Sequence, residues 1–231
     1  MQNFSGILLI DKPAGMSSFG VVARVRRVLS QAAGKKVKVG HTGTLDPFAT
    51  GLLILVVGEY CKRAGEFSKL DKSYEATLRL GQISSTGDPE GEITPVSAHK
   101  PTKEELESAL AKFRGTIEQT PPAFSAIKIG GQRAYKLARE GKEVEIPSRT
   151  VTISRLELQK YEYPDVYIVC DVSSGTYIRS LVQDIGEALD TGAYTATLRR
   201  RRVGKFLVDE ATQLDTFMES EHHEPQRFIR I

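Results

Sequence analysis

The chain has 231 residues, of which 40% are hydrophobic and 26% are charged, and its formal net charge at pH 7 is +3. These values are typical of a water-soluble globular protein with one large domain or two small ones. No apolar run approaches the ~18 residues of a membrane-spanning helix, and the first run, residues 7–10, is too short for a secretory signal. We therefore expect a cytoplasmic protein with no membrane partner.

The chain contains two cysteines, Cys61 and Cys170, and both lie in apolar surroundings. Two cysteines cannot form a zinc site without further ligands, and a disulfide between them is not expected in a reducing compartment. The histidines are too scattered along the chain to complete a metal site. The sequence therefore predicts buried free thiols and no metal ion.

Short strands dominate the predicted secondary structure. The predicted strands are β-branched or aromatic segments bounded by Gly, Pro or charge, at residues 7–10, 37–40, 52–57, 74–80, 150–158 and 167–172. Helical spacing of apolar residues predicts helices at 19–29, after the capping box that begins at Thr102, at 133–139 and at 177–189. Because strands and helices do not alternate regularly, the predicted fold class is α+β with a mixed sheet.

The charges are unevenly distributed along the chain. Residues 12–45 contain seven Lys or Arg and no acid, residues 199–205 contain five basic residues, and residues 209–224 contain six acids and no Lys or Arg. Such segregation indicates a basic face that could follow phosphates, with an acidic tail directed elsewhere. The alternative interpretation is a set of ordinary solvated helix faces.

The segment GHTGTLDPFATGLL, residues 40–53, is the most informative part of the chain. It places Asp46 on a glycine-bracketed turn between two apolar runs. A carboxylate among apolar neighbours is costly to bury unless a cation arrives from elsewhere in the fold. The alternative is that Asp46 merely caps the turn, as many Asp-Pro pairs do.

This segment closely resembles the signature of the TruB family of RNA pseudouridine synthases. Three further segments match the family in order: DKPAGMSS at 11–18, KSYEA at 72–76 and SGTYIRSL at 174–181. The match covers residues 6–208. The resemblance implies the pseudouridine-synthase fold, which is a mixed, largely antiparallel central sheet flanked by helices with a thumb-like insertion.

The resemblance also implies the reaction, in which a uridine in the T loop of tRNA (U55) is isomerised to pseudouridine after base flipping. The N-glycosidic bond breaks and the base rejoins the ribose through C5. Because nothing is oxidised or reduced, no cofactor is expected. The implied partner is the T arm of tRNA, no obligate protein partner is implied, and a monomer is expected.

The resemblance implies three catalytic residues. Asp46 supplies the carboxylate that attacks the nucleoside or abstracts a proton as the glycosidic bond breaks. Arg179 is its counter-ion, the alternative being a surface arginine on an amphipathic helix. Tyr74 stacks on the flipped uracil and is a candidate for late proton transfer, the alternative being a core tyrosine.

Further residues are expected to contact the RNA or to shape the site. His41 is expected to enter the RNA loop where the extracted base had been, and Leu198 to line the uracil pocket. Lys12 is grouped with the substrate residues, although it is more suited to supporting the catalytic loop. Asp88 either binds a nucleotide or forms a turn. The remaining predicted RNA contacts are Lys128, Arg133, Tyr135, Lys136, Arg139, Arg199 and Arg200.

The predicted organisation is a catalytic domain at 1–210, with the thumb-like insertion at 121–148, and an acidic tail at 211–231. This tail is too short for the C-terminal RNA-binding (PUA) module of many TruB enzymes. Two other functions compete with the isomerase. One is an RNA-binding factor that opens the T arm without modifying it, and the other is a guide-RNA-dependent synthase, whose relatives rely on the missing module.

Overall fold

The computed structural model describes residues 4–125, 127–129, 131–134, 137, 146–219 and 228–230. Within these ranges the strands are β1 (Gly6–Lys12), β2 (Val39–His41), β3 (Thr50–Val57), β4 (Lys72–Leu80), β5 (Gln82–Ser84), β6 (Ile93–Pro95), β7 (Gly115–Gln119), β8 (Lys128–Ile129), β9 (Gln132–Arg133), β10 (Arg149–Glu162), β11 (Asp165–Val172), β12 (Ala193–Val203), β13 (Phe206–Leu207) and β14 (Thr212–Gln213). The helices are α1 (Ser18–Ala33), α2 (Ala64–Ser68), α3 (Lys103–Lys112), α4 (Ile178–Ala188) and α5 (Leu214–Glu219). No helix in the described ranges is long and apolar enough to cross a bilayer.

The chain forms two compact units, the first from Met1–Tyr74 with Leu198–Ile231 and the second from Glu75–Thr197. In the first unit the strand order is β14-β1-β3-β12, with β2 beside β3 and β13 beside β12. Strands β1 and β3 are antiparallel, whereas β12 is parallel to β3 and β14 is parallel to β1. The sheet is therefore mixed and mostly antiparallel, so the predicted α+β class is confirmed.

The side chains of β1 alternate between two apolar clusters in the first unit. Leu8 and Ile10 face the cluster that contains α1 and α5, while Ile7 and Leu9 face a second cluster with Phe67. This alternation follows from the two-residue period of a strand. Helix α1 therefore lies on one face of the sheet, and α2 and β13 contribute to the other.

Helix α1 confirms the prediction at 19–29 and extends it at both ends. The side chain of Ser17 caps the start by accepting a hydrogen bond from the Gly20 amide. Gly34 ends the helix in the left-handed conformation, with φ of 65°. The buried stripe consists of Ser18, Val21, Val22, Val25, Leu29 and Ala33.

The second unit contains the strand order β4-β11-β10-β7, with antiparallel pairing of β10 to both β11 and β7. Helix α3 has the predicted capping box, in which Thr102 and Glu105 satisfy each other's amides. Arg79 and Asp165 form a two-pronged ion pair with both N–O distances at 2.8 Å. The predicted helix at 177–189 is confirmed as α4.

The predicted helix at 133–139 is wrong at its start, because Arg133 ends strand β9. Residues 135, 136, 138 and 139 lie outside the described residues. At the other end of the chain, β14 pairs with β1, and Leu214 and Phe217 of α5 are buried in the first unit. Part of the predicted tail at 211–231 is thus built into this unit, while the domain assignment itself stays a prediction.

Candidate active site

The loop that carries Asp46 connects the end of β2 to the start of β3 in the first unit. The Thr42 amide donates to the Ile54 carbonyl at 3.1 Å, and the Ala49 amide donates to the Asp46 carbonyl at 3.2 Å. Leu45 is buried and Asp46 is half-buried. The loop therefore folds against β3 and leaves Asp46 only half-buried.

Lys12 holds this loop from the end of β1, and its side chain is completely buried. Its ammonium donates to the carbonyls of Pro13 at 2.8 Å, Met16 at 2.6 Å and Pro47 at 3.1 Å. These acceptors replace water around a buried charge. These contacts support the loop-holding role of Lys12, while its grouping with the RNA-contacting residues stays a prediction.

Ser18 joins the first turn of α1 to the same loop. Its hydroxyl donates to the Leu45 carbonyl at 2.9 Å and accepts from the Leu45 amide at 2.8 Å. Both main-chain groups of the residue before Asp46 are therefore satisfied by one buried side chain. Ser18 is not among the predicted site residues, although the doublet Ser17-Ser18 before an apolar helix is a signal that marks it.

Arg200 contacts the loop from β12 and is also buried. Its Nε donates to the Leu52 carbonyl at 2.7 Å, and its terminal nitrogens donate to Gly43 at 3.1 Å and Thr44 at 3.4 Å. Gly51 allows β3 to approach β12 here, since a Cβ at Gly51 would lie 2.3 Å from the Arg200 carbonyl oxygen. In this structure the guanidinium of Arg200 is thus used to hold the loop, and its predicted RNA contact stays a prediction.

The neighbouring arginines lie differently, because successive side chains of a strand point to opposite faces. Arg199 forms a two-pronged ion pair with Asp11, at 2.7 and 3.1 Å, and is one-third exposed. Arg201 pairs with Asp209 at 3.4 Å. The arginine run thus supplies much less free positive charge than its sequence indicates, and a phosphate contact by Arg199 stays a prediction.

Tyr74 lies in β4 and is almost fully buried, two residues from the equally buried Lys72. The Lys72 ammonium donates to the carbonyls of Ser68, at 2.7 Å, and Leu70. Burial, together with the nearby charge of Arg200, lowers the pKa of Lys72 to about 8. Burial of Tyr74 is expected of a core tyrosine and does not test whether its ring stacks on the flipped uracil. Stacking on uracil therefore stays a prediction.

Arg179 lies in the first turn of α4 in the second unit and is only 3% exposed. Its guanidinium donates to the carbonyls of Thr86 and Phe124, each at 2.8 Å. It also lies 3.5 Å from the Asp88 carboxylate. The alternative of a surface arginine is therefore wrong.

Two polar side chains fix the start of α4. The Gln119 side chain donates to the Tyr177 carbonyl at 3.0 Å and accepts from its amide at 2.8 Å. The Ser180 hydroxyl donates to the Thr120 carbonyl at 2.8 Å. Because Arg179 lies between Tyr177 and Ser180, these bonds limit where its guanidinium can lie. No sequence signal identified Gln119.

Asp88 is buried and organises its own loop. It accepts hydrogen bonds from the Thr86 hydroxyl at 2.6 Å and from the Glu90 amide at 3.0 Å. This is the turn-forming arrangement, which is one of the two predicted roles of Asp88. A direct contact between Asp88 and a nucleotide stays a prediction.

The remaining predicted residues are only partly placed. His41 is half-buried at the end of β2, and Leu198 is buried in β12, both in the first unit. The backbones of Lys128 and Arg133 lie in β8 and β9, but their side chains and the whole of Tyr135 lie outside the described residues. Their contacts with RNA stay predictions.

Two family models match the chain. The TruB family pseudouridylate synthase (N terminal domain) matches residues 26–178, and the tRNA pseudouridylate synthase B C-terminal domain matches residues 179–228. The chain is 49% identical over 215 residues to tRNA pseudouridine synthase B of Mycobacterium sp. (strain KMS), covering 91% of this chain and 71% of that protein. It is 46% identical over 219 residues to the protein of the same name in Mycobacterium avium (strain 104), covering 93% and 69%.

Solved structures share the fold. A chain of a Cbf5-Nop10-Gar1 complex aligns with a TM-score of 0.71 and 28% identity, covering 96% of this chain and 58% of that one. A chain of an H/ACA RNP bound to a substrate RNA containing 2′-deoxyuridine aligns with a TM-score of 0.69 and 26% identity, covering 93% and 52%. The protein spans little more than half the length of these solved chains. It belongs to the TruB family of pseudouridylate synthases, a family of isomerases.

Proposed function

We propose that this TruB-family protein converts uridine to pseudouridine at U55 in the T loop of tRNA. The curated relatives are tRNA pseudouridine synthases, which supports tRNA as the substrate. We further propose that it acts as a cytoplasmic monomer, without a cofactor and without an obligate protein partner.

The observation that carries this proposal is the way the Asp46 loop is held. Lys12, Ser18 and Arg200 come from three different elements, and all three side chains are buried and donate to main-chain carbonyls of one short loop. Burying each of these polar side chains costs free energy of desolvation, and a simple connecting turn can form without such side chains. A loop that must present one carboxylate in a fixed position benefits from this arrangement.

In the proposed reaction the C1′–N1 bond of uridine breaks, the uracil rotates within the site, and a C1′–C5 bond forms. The proton on C5 is then lost and N1 gains a proton, so the reaction is an isomerisation with no net change in atoms. Asp46 is the carboxylate that attacks the nucleoside or abstracts a proton. Both routes require the ionised carboxylate.

Arg179 is the proposed counter-ion of Asp46. Its guanidinium is already oriented by the carbonyls of Thr86 and Phe124, so little reorganisation is needed when it acts on a substrate or a carboxylate. Tyr74 is proposed to stack on the flipped uracil, with Leu198 lining the uracil pocket.

For RNA binding, we propose that His41 occupies the place that the flipped base leaves in the T loop. The thumb-like insertion at 121–148 is proposed to bind the T arm. Its contributing residues are Lys128, Arg133 and Tyr135. Asp88 keeps a proposed indirect role, because it orders the loop that Arg179 contacts.

The experiment incubates purified protein with an unmodified tRNA transcript, with neither cofactor nor guide RNA, and maps pseudouridine in the product. We expect pseudouridine at U55 alone. Asp46→Asn should bind the tRNA normally and make no product, whereas Asp209→Asn, which alters an exposed carboxylate, should be fully active. Undiminished turnover by Asp46→Asn would show that Asp46 is not the catalytic carboxylate. Tight binding of tRNA by the native protein with no product would favour the RNA-binding factor.

A further inference from the structure

Phe19 is the most exposed of the large hydrophobic side chains in the described part of the chain, at 65% exposure. It lies in the first turn of α1, off the stripe that faces the core. A single exposed apolar residue is common on protein surfaces and by itself indicates nothing. Its surroundings are what distinguish Phe19.

The position of Phe19 is fixed relative to the Asp46 loop. The preceding residue, Ser18, exchanges two hydrogen bonds with Leu45, which is the residue before Asp46. The Gly15 amide also donates to the Pro47 carbonyl at 2.9 Å, just before the helix begins. Phe19 therefore follows directly after a residue that is hydrogen-bonded to the loop of the proposed nucleophile, within the same unit.

The charged side chains of α1 are all positive. The Arg26 guanidinium lies over the ring, 6.0 Å from its centroid, and Arg24 donates to the Met16 sulfur at 2.7 Å in the preceding turn. Residues 12–45 contain no acid. Of their seven basic side chains, only that of Lys12 is buried.

An exposed aromatic ring beside cations is the arrangement with which proteins bind unpaired nucleotides. The ring stacks on a base of any sequence, and the cations contact the neighbouring phosphates. A double-stranded stem offers no open base face to such a ring. The chemistry therefore favours a single-stranded loop as the ligand.

We infer that Phe19 is a stacking platform for an unpaired T-loop base next to the target uridine, with Arg24 and Arg26 contacting the adjoining phosphates. This inference rests on the proposed function, from which it takes the T loop of tRNA as the ligand. It adds a contact made by the first turn of α1, separate from the thumb-like insertion.

The first test uses fluorescence, because the chain contains no tryptophan. Phe19→Trp introduces a single indole, whose emission should be strongly quenched when a T-arm hairpin binds and its base stacks. The matched control is Leu207→Trp, at a 43% exposed position in another element, strand β13. The control emission should hardly change. Equal quenching of Phe19→Trp by a stem duplex that lacks the loop would overturn base stacking.

The second test separates binding from chemistry. Phe19→Tyr should bind the T arm like the native protein, while Phe19→Leu, which keeps the apolar surface but loses the ring, should bind about tenfold more weakly. At saturating RNA the leucine variant should keep the native kcat, with the loss confined to KM. Because Phe19 is exposed, all variants should unfold at the native temperature.

The outcomes distinguish this inference from the proposed function. If the native protein makes pseudouridine but Phe19→Leu binds RNA as tightly as it does, the stacking platform is wrong and the proposed function stands. If the indole at position 19 is quenched by the T loop but no pseudouridine forms, the platform stands and the proposed function fails.

Discussion

The Asp46 loop in the first unit and the Asp88 loop in the second unit are both contacted by buried cations, but with different acceptors. Lys12 and Arg200 donate to main-chain carbonyls of the Asp46 loop. Arg179 instead contacts two carbonyls and also the Asp88 carboxylate. Carbonyl oxygens accept a cation's hydrogen bonds and carry no net charge, whereas the Asp88 carboxylate adds an ion pair.

This difference separates two tasks. In the first unit, two cations hold the loop through its main-chain carbonyls. In the second unit, the pair of Arg179 and Asp88 fixes the direction of one guanidinium. Substitutions in the first unit should therefore reduce stability along with activity, while a conservative substitution of Arg179 should mainly reduce activity.

The largest effect is expected for Arg179→Lys. Lysine keeps the charge but cannot reach the carbonyls of Thr86 and Phe124 with one planar group, so the cation loses its fixed geometry. Turnover should fall about 100- to 1,000-fold, while tRNA affinity should stay near the native value. Single-turnover kinetics and filter binding measure the two quantities. The matched control, Arg63→Lys at an exposed i,i+3 ion pair, should change neither. A native rate for Arg179→Lys would exclude Arg179 from the site.

A smaller effect, on stability, is expected for Lys12→Met. Methionine fills a similar volume but leaves the carbonyls of Pro13, Met16 and Pro47 without this donor. We expect a loss of about 2–3 kcal/mol in the free energy of unfolding, measured with urea. Lys38→Met, at an exposed position of the same unit, should change it by less than about 0.5 kcal/mol. If the two variants were equally stable, the hydrogen bonds from Lys12 to the three carbonyls would not contribute to the free energy of unfolding.

The third prediction concerns Arg200 and Arg199, which are adjacent in sequence but differ in exposure. Arg200→Met should lower the free energy of unfolding by about 2 kcal/mol, because three main-chain acceptors lose their donor. It should leave the salt dependence of tRNA binding unchanged. Arg199→Met should instead reduce the slope of log affinity against log salt by about one, if Arg199 contacts a phosphate. The reverse pattern would show that Arg200, not Arg199, contacts the RNA.

These two arginines also show what could be predicted from the sequence and what could not. Helix α1 was predictable because its stripe and its N-terminal cap are local signals. Strand β12 was not predicted, since four consecutive arginines hide the two-residue alternation of a strand, and the direction of Arg200 depends on that assignment. The burial of Arg179 depends on carbonyls 55 and 93 residues away in the chain, so no local pattern could indicate it. The family resemblance identified the residue, but only the fold gave its contacts.

The smallest effect is expected for Asp184. It lies in α4, the same helix as Arg179, but has no proposed role in the reaction. Burial, and to a lesser extent the charge of Glu187, raises the pKa of Asp184 from 3.8 to about 6. Between these two values the folded protein binds more protons than the unfolded chain, so stability falls as the pH rises from about 4 to about 6. Above pH 6 the folded protein carries the full cost of a partly buried carboxylate.

Asp184→Asn removes this cost, so it should stabilise the protein at pH 7.5 by no more than about 1 kcal/mol, because solvent screens a group that is only half-buried. The gain should shrink between pH 6 and 4 and disappear below pH 4, where the native side chain is neutral in both states. Thermal unfolding across this range measures it, with Asp190→Asn at an exposed position as the control. Since the substitution leaves the contacts of Arg179 in place, turnover should not change. A stabilising effect that is the same at pH 4 and pH 7.5 would mean that charge is not its cause.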